Sequence, residues 1–309
     1  MMSTRPKTLE QFQGQTRIKK ALEIFTKAAR NRGIPMDHTL FYGPPGLGKT
    51  TLANVVATEQ GGRLFYLNGG VITSVDQIVS VVQELTPGGM DVIFIDEIHR
   101  IPIEIEEVLY EVLEDFCITI PGKDDAIYRV PIPKFTMIGA TTLLGNLSRP
   151  FRDRFPIKLE LEPYTSKELD LIIVYNAVCS GMRIDPFAIM AISRRSRGTA
   201  RVAINFLRRA YDVSCAKGKD IIEEDDVLDM FELLEISEEG LTKADRNYLS
   251  ILSTEKPKGI RTISAALGEN PKNIEEVIEP FLVRCGFVEV TARGRLLTSK
   301  GQMAIYGGQ

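Results

Sequence analysis

Nine residues, GPPGLGKTT from Gly43 to Thr51, constrain this chain more than any other stretch. They fit G-x-x-x-x-G-K-S/T, with a further glycine at Gly46, and they follow the apolar run Leu40 to Tyr42 and precede a helix-patterned run from Leu52. Strand, glycine loop and helix in that order form a phosphate cradle. Gly46 and Gly48 let the backbone take positive φ and approach an anion, while loop amides and the helix N-terminus aim donors and positive dipole at it. Lys49 is expected on the β- and γ-phosphates and Thr50 on a magnesium ion, with Leu47 and Thr51 completing the contacts.

The second chemical landmark is Val92-Ile93-Phe94-Ile95-Asp96-Glu97, a buried-strand run that ends in two acids. Further strands are expected at Leu64 to Leu67, Phe135 to Ala140 and Ile157 to Leu161, with helical patterns between the first three strands, so a parallel sheet flanked by helices is expected. Ligands of such sheets sit beyond the carboxyl ends of the strands, which sets the two acids beside the glycine loop. Asp96 then holds hydrated magnesium and Glu97 orients or deprotonates the attacking water, a hydrolase arrangement. Gly139-Ala140-Thr141-Thr142 brings two hydroxyls to the same edge, and Arg149 to Phe155 gathers three arginines before the last strand. Arginine suits phosphoryl transfer because its planar fork spreads charge over phosphate oxygens; a salt-bridged turn on Asp153 is the competing reading.

Ile105, Val108, Leu109, Val112 and Leu113 form one apolar helix stripe and read as core. After it, Phe116 to Ile120 and Ile127 to Ile132, joined by a turn at Pro121 to Asp125, read as an inserted β-hairpin with few polar residues on its arms. The grammar changes twice more. From Glu162-Pro163-Tyr164 only helical periodicity continues to about residue 236, including Arg194, Arg195, Arg197, Arg201, Arg208 and Arg209. Past Ser237 come three helices and a hairpin, the outline of a winged helix. The expected division is therefore 1–162, an α/β nucleotide-binding domain, 163–237, a small all-α domain, and 238–309, a winged helix. In the third helix of the last domain Ile274, Val277, Ile278, Phe281 and Leu282 share a face, and Glu275, Glu276 and Glu279 on the other would repel phosphate. The acid-free turn with Arg293 and Arg295 is the preferred DNA contact.

A length of 309 residues suits two or three such bodies, and a net charge of −3 confines any nucleic-acid contact to local patches. Residues 1–32 carry eight basic side chains against two acids, read as a solvated helix face. Four scattered cysteines with only His38 and His99 support neither a zinc site nor a disulfide framework. Apolar runs far shorter than a bilayer and no hydrophobic leader lead to the expectation of a cytoplasmic chain with no membrane partner.

Taken together, GPPGLGKTTLA, FIDEIHR, EEVLYEVLEDF, IGATT, RPFRDRF, RGTARVA and TARGR, in one register over nearly the whole chain, resemble the RuvB family of bacterial Holliday-junction branch-migration motors, a branch of the AAA+ ATPases. The resemblance implies a P-loop AAA+ domain, a lid and a winged helix, ATP and Mg2+ as cofactors, and a homohexamer around junction or duplex DNA. It further implies docking of RuvA on the 116–133 hairpin and work alongside the resolvase RuvC. By position it assigns Thr141 or Thr142 as first sensor, Arg201 as second sensor and Arg154, or else Arg152, as an arginine finger supplied in trans. Adenine falls between Arg5, Pro6, Phe12 and Gln13 and Tyr164. Leu143, Pro156 and Thr4 depart from the family pattern, where arginine, glycine and leucine are usual, and leave the hydrolytic set intact. A clamp-loader-like switch, an ATP-gated DNA-binding scaffold and a peptide-remodelling ATPase are the alternative functions.

Overall fold

All five apolar runs expected as sheet strands enter one parallel sheet. A computed structural model describes residues 5–121, 127–253 and 256–306, in two compact units: Met1–Ile172 with Thr199–Arg201, and Ile173–Gly198 with Val202–Gln309. Thr4 and the hairpin turn from 122 onward, both singled out above, lie outside the described residues.

In the first unit the strands are β1 (Thr39–Tyr42), β2 (Leu64–Asn68), β3 (Val92–Asp96), the hairpin pair β4 (Cys117–Pro121) and β5 (Ile127–Pro131), then β6 (Thr136–Thr141) and β7 (Ile157–Glu160). The sheet order is β2-β3-β6-β1-β7, all parallel. From β1, second from one edge, the chain crosses β6 and β3 to reach β2, and this reversal opens a crevice at the strand ends. β6 is buried at every position, as a strand covered on both faces must be. The helices are α1 (Thr16–Arg32), α2 (Lys49–Gln60), α3 (Val75–Gln83), α4 (Ile103–Glu114) and α5 (Arg149–Asp153). On α4 the expected stripe joins the core through Ile105, Leu109, Val112 and Leu113, with Val108 packed beside it.

His38, just before β1, ties three elements. Its Nδ1 accepts from Met137 N–H at 2.9 Å, so Nε2 carries the proton and donates to Leu113 O at 3.0 Å. Burial pulls its pKa down to about 4, against the Leu113 bond and the charge of Asp37, which act upward.

After β7 the helical run becomes α6 (Ser166–Cys179), α7 (Pro186–Arg195), α8 (Ala200–Ala216) and α9 (Glu224–Leu233), of which α6 from Ile173, α7, α8 from Val202 onward and α9 lie in the second unit. Asp185 caps α7 by accepting from Phe187 and Ala188 N–H, and Phe206 meets Phe231 edge-on at 5.1 Å between ring centroids. The winged helix follows: α10 (Lys243–Ile251), α11 (Ile260–Leu267), the single turn α12 (Pro271–Asn273), a π-helical turn at Ile274–Ile278, α13 (Glu279–Arg284), β8 (Val288–Thr291), β9 (Gly294–Leu297) and α14 (Ser299–Tyr306). Arg197 joins the two helical groups. Its guanidinium binds the buried Asp245 carboxylate, donates from Nε to Gly240 O at 2.8 Å and lies 4.5 Å from the Phe281 ring centroid. Its own carbonyl accepts from Arg284 Nη2 at 2.7 Å.

Two expectations for this region are corrected, and a further helix, α14, follows the expected hairpin. The third helix is not one α-helix: Pro280 has no N–H to continue the ladder, and the wider π turn before it rotates Val277 off the apolar face, to 64% exposure. Arg295 is not an exposed contact. Its Nε donates to Glu279 Oε1 at 2.8 Å and Nη2 to Glu275 Oε1 at 2.8 Å, leaving the side chain 13% exposed. Two of the acids expected to repel phosphate thus neutralise the arginine expected to bind it. Arg293 remains exposed at the turn.

Because His38 is buried neutral and must charge on unfolding, it stabilises the fold fully above pH 6.5, and this contribution fades as pH falls towards 4. Wild type is expected to lose on the order of 2–3 kcal/mol over that window through this group. In His38→Gln, urea midpoints measured at pH 7 and pH 4.5 should lie closer together than in wild type.

Candidate nucleotide site

Parallel pairing brings four strand ends to one edge, with Tyr42 level with Thr141 and Asn68 level with Asp96. The glycine loop leaves β1, the acid pair leaves β3, and the two threonines leave β6 between them. Gly46 and Gly48 both have positive φ, +81° and +99°. A Cβ on Gly46 would stand 3.1 Å from Arg201 Cβ, and Arg201 N–H donates to Gly46 O at 3.2 Å, so the expected second sensor adjoins the loop. A Cβ on Gly48 would stand 3.2 Å from Phe12 Cζ and 3.5 Å from Tyr164 Oη. Tyr164 donates to Leu47 O at 2.6 Å, and burial pushes its phenol pKa up.

The opening segment is fastened to the residues around Tyr164 by Gln15, whose Nε2 donates to Glu162 O at 2.6 Å and whose N–H donates to Glu168 Oε1 at 3.1 Å. Phe12 and Tyr164 are thereby buried behind the loop, and Arg5 is exposed. Thr51 lies half-buried in the first turn of α2.

Lys49 is only 7% exposed, with Nζ donating to Gly43 O at 2.7 Å and Pro44 O at 2.9 Å. Burial lowers its pKa, Glu97 and Asp96 oppose the drop, and Arg201 adds to it. Thr50 Oγ1 donates to Asp96 Oδ2 at 3.3 Å, and Asp96 Oδ1 accepts from Glu97 N–H at 3.1 Å. A hydroxyl and a carboxylate converging beside a buried ammonium are a donor set that fits a hydrated magnesium triphosphate.

Glu97 sits in the left-handed region at φ 48°, a conformation costing about 1 kcal/mol or more, which turns its side chain out of the strand direction. Its Oε2 accepts from Thr142 Oγ1 at 3.4 Å and lies 3.3 Å from His99 Nδ1. Thr141 is instead fully buried, accepts from Leu143 N–H at 2.9 Å and stands 2.9 Å from His99 Nδ1. The two hydroxyls left open above thus differ: only Thr142 touches the acid. His99, two residues after Glu97, is a site residue that the sequence pattern does not single out, because its contact with Thr141 crosses to β6.

Two expected site groups stand apart from this cluster. Arg154 contacts Glu114, Tyr110 and Pro150, none of them in the glycine loop. Arg293 belongs to the second unit.

A parallel sheet with a phosphate loop after its first strand, an acid pair two strands away and hydroxyls on the central strand between them defines a P-loop nucleotide-binding ATPase of the AAA+ type. Family models match in succession: the Holliday junction DNA helicase RuvB P-loop domain at residues 4–161, the RuvB AAA lid domain at 164–237 and the RuvB C-terminal winged helix domain at 238–305. The chain belongs to the RuvB family. It is 44% identical to the Holliday junction branch migration complex subunit RuvB of Lactobacillus johnsonii over 98% of this chain and 91% of that one. The Lactobacillus gasseri subunit of the same name matches to the same extent. Among solved structures it is similar to the Thermotoga maritima RuvB Holliday junction branch migration motor, with a TM-score of 0.87, 40% identity and 98% of each chain covered.

Gly48→Ala adds both a strained φ and a contact with Phe12, which the buried ring cannot relieve by moving into solvent. It should weaken nucleotide binding at least ~10-fold in a fluorescent-nucleotide titration while leaving the circular dichroism spectrum unchanged.

Proposed function

We propose that this chain is an ATP-driven DNA motor that works as a hexameric ring on duplex DNA and drives Holliday-junction branch migration in recombination and repair. The observation that carries this reading is the succession of three RuvB domain models along one chain, from residue 4 to residue 305. It is supported by the single cluster in which Thr50 meets Asp96 and Thr142 meets Glu97. The three bodies are taken as 1–162, 163–237 and 238–309, and the site of action as the cytoplasm. Among the described residues no helix is long and apolar enough to cross a membrane.

In the proposed cycle Lys49, Thr50, the loop amides and Arg201 hold the triphosphate, with Arg5, Phe12 and Tyr164 on the adenine side. Thr50 and Asp96 would hold Mg2+, which when bound would supply charge neutralisation on the phosphate oxygens. Glu97 orients the attacking water, and Thr142, bonded to its carboxylate, couples the state of that acid to β6. Arg154 of the adjacent subunit stabilises transition-state charge. The 116–133 hairpin, with Ile127 and Tyr128 exposed, is the docking edge for RuvA, and Arg293 is the DNA contact that remains open. RuvC is the resolvase with which such a motor operates.

The direct test is ATP-dependent dissociation of a synthetic four-way junction with and without RuvA. Strand separation that needs both ATP and RuvA supports the reading, and steady ATP turnover without any junction dissociation would overturn it. Glu97→Gln should retain nucleotide affinity and lose about 10²–10⁴-fold in kcat. Arg154→Ala should likewise bind nucleotide normally and turn over at least ~10²-fold more slowly.

A further inference from the structure

We propose that Tyr110 is the positioning residue that orients the Arg154 guanidinium for use at a neighbour's nucleotide, an inference resting on the reading of Arg154 as a finger supplied in trans. Arg154 closes α5, and its Cζ lies 5.2 Å from the centroid of the Tyr110 ring. Nη2 donates to Glu114 Oε2 at 2.7 Å and Nη1 to Pro150 O at 3.3 Å, a long bond. Nε is buried with no hydrogen-bond partner among the described residues. Glu114 is 62% exposed, so its carboxylate is the partner that an arriving polyphosphate displaces. The aromatic face is the contact that survives this exchange. Stacking uses the flat side of the guanidinium and leaves the N–H edge of the fork to point outward, as recognition of a phosphate needs.

The ring is itself held. Tyr110 Oη donates to Glu106 Oε1 at 2.7 Å and stands 3.0 Å from Ser148 Oγ, whose hydroxyl also bonds Glu106. Ser148 caps α5 by accepting from Phe151 N–H at 3.2 Å, and the Phe151 ring packs 5.9 Å from Tyr110. Glu106, Tyr110 and Glu114 recur every four residues, so one stripe of α4 carries the lock, the ring and the exchangeable acid. The same helix begins at Ile103, shortly after Glu97, and leads into β4. A finger seated on α4 is therefore aimed by an element joined at one end to the water-orienting acid and at the other to the hairpin.

The test compares ATP turnover by Tyr110→Phe, Tyr110→Met, Tyr110→Leu and Arg154→Ala, each alone and mixed with Glu97→Gln subunits. Tyr110→Phe keeps the aromatic face and should hold kcat within about 3-fold, whereas the methionine and leucine variants should each lose about 10-fold in kcat at unchanged KM and nucleotide affinity. Glu97→Gln subunits have an intact finger, so mixing should restore turnover at the sites of both Tyr110→Met and Arg154→Ala subunits. Wild-type kcat in Met and Leu variants alike, a parallel fall in nucleotide affinity, or a phenylalanine variant as slow as the methionine one would overturn the proposal. Rescue of Arg154→Ala without rescue of Tyr110→Met would also overturn it and spare the finger reading. Absence of rescue for Arg154→Ala removes the finger reading and this inference together.

Discussion

The Thr50 hydroxyl reaches the Asp96 carboxylate at 3.3 Å only because β1 and β3 run the same way with β6 between them. Were either strand reversed, loop and acid would stand at opposite edges of the sheet. Parallel order also explains how a lysine ammonium can be buried at all. Two loop carbonyls accept from it, and the charges of Glu97 and Asp96 offset a desolvation that would otherwise neutralise it. What the strands supply is thus a place where opposed charges are gathered at fixed spacing before any ligand arrives.

Much of this was legible in sequence because it is written in contiguous residues. Gly43 to Thr51 and Val92 to Glu97 each state a strand, its end and the group presented there, and the five sheet strands fell within a residue or so of their apolar runs. Arg295 was misread for the opposite reason. Its partners are 16 and 20 residues away on a helix whose acids, taken alone, look like a surface facing water. Val277 failed through local geometry: a period of 3.6 residues was assumed across a π turn. His99 and Tyr110 lie within legible motifs, but their contacts with Thr141 and Ser148 span 42 and 38 residues and leave no local mark in the sequence.

One helix does unusually varied work. The apolar side of α4 enters the core, a second stripe runs through Glu106, Tyr110 and Glu114, and Glu111 accepts both Arg129 Nε and Thr119 Oγ1 from the hairpin, each at 2.8 Å. Arg129 also reaches Asp115, just past the end of α4. The exposed apolar residues Ile127 and Tyr128 therefore stand on an arm braced by charge, which holds its direction without a core of its own.

Arg197 has a further consequence for how many parts can move. The lid and the winged helix have separate sequence grammars, but this guanidinium ties Asp245, Gly240 and the face of Phe281 to the loop after α7, and Arg284 returns the bond to its backbone. A hinge between lid and wing would have to break all of these at once. The loop after α7 is thereby the shared anchor of lid and wing, which are joined side chain to backbone in both directions and not by the connecting chain alone.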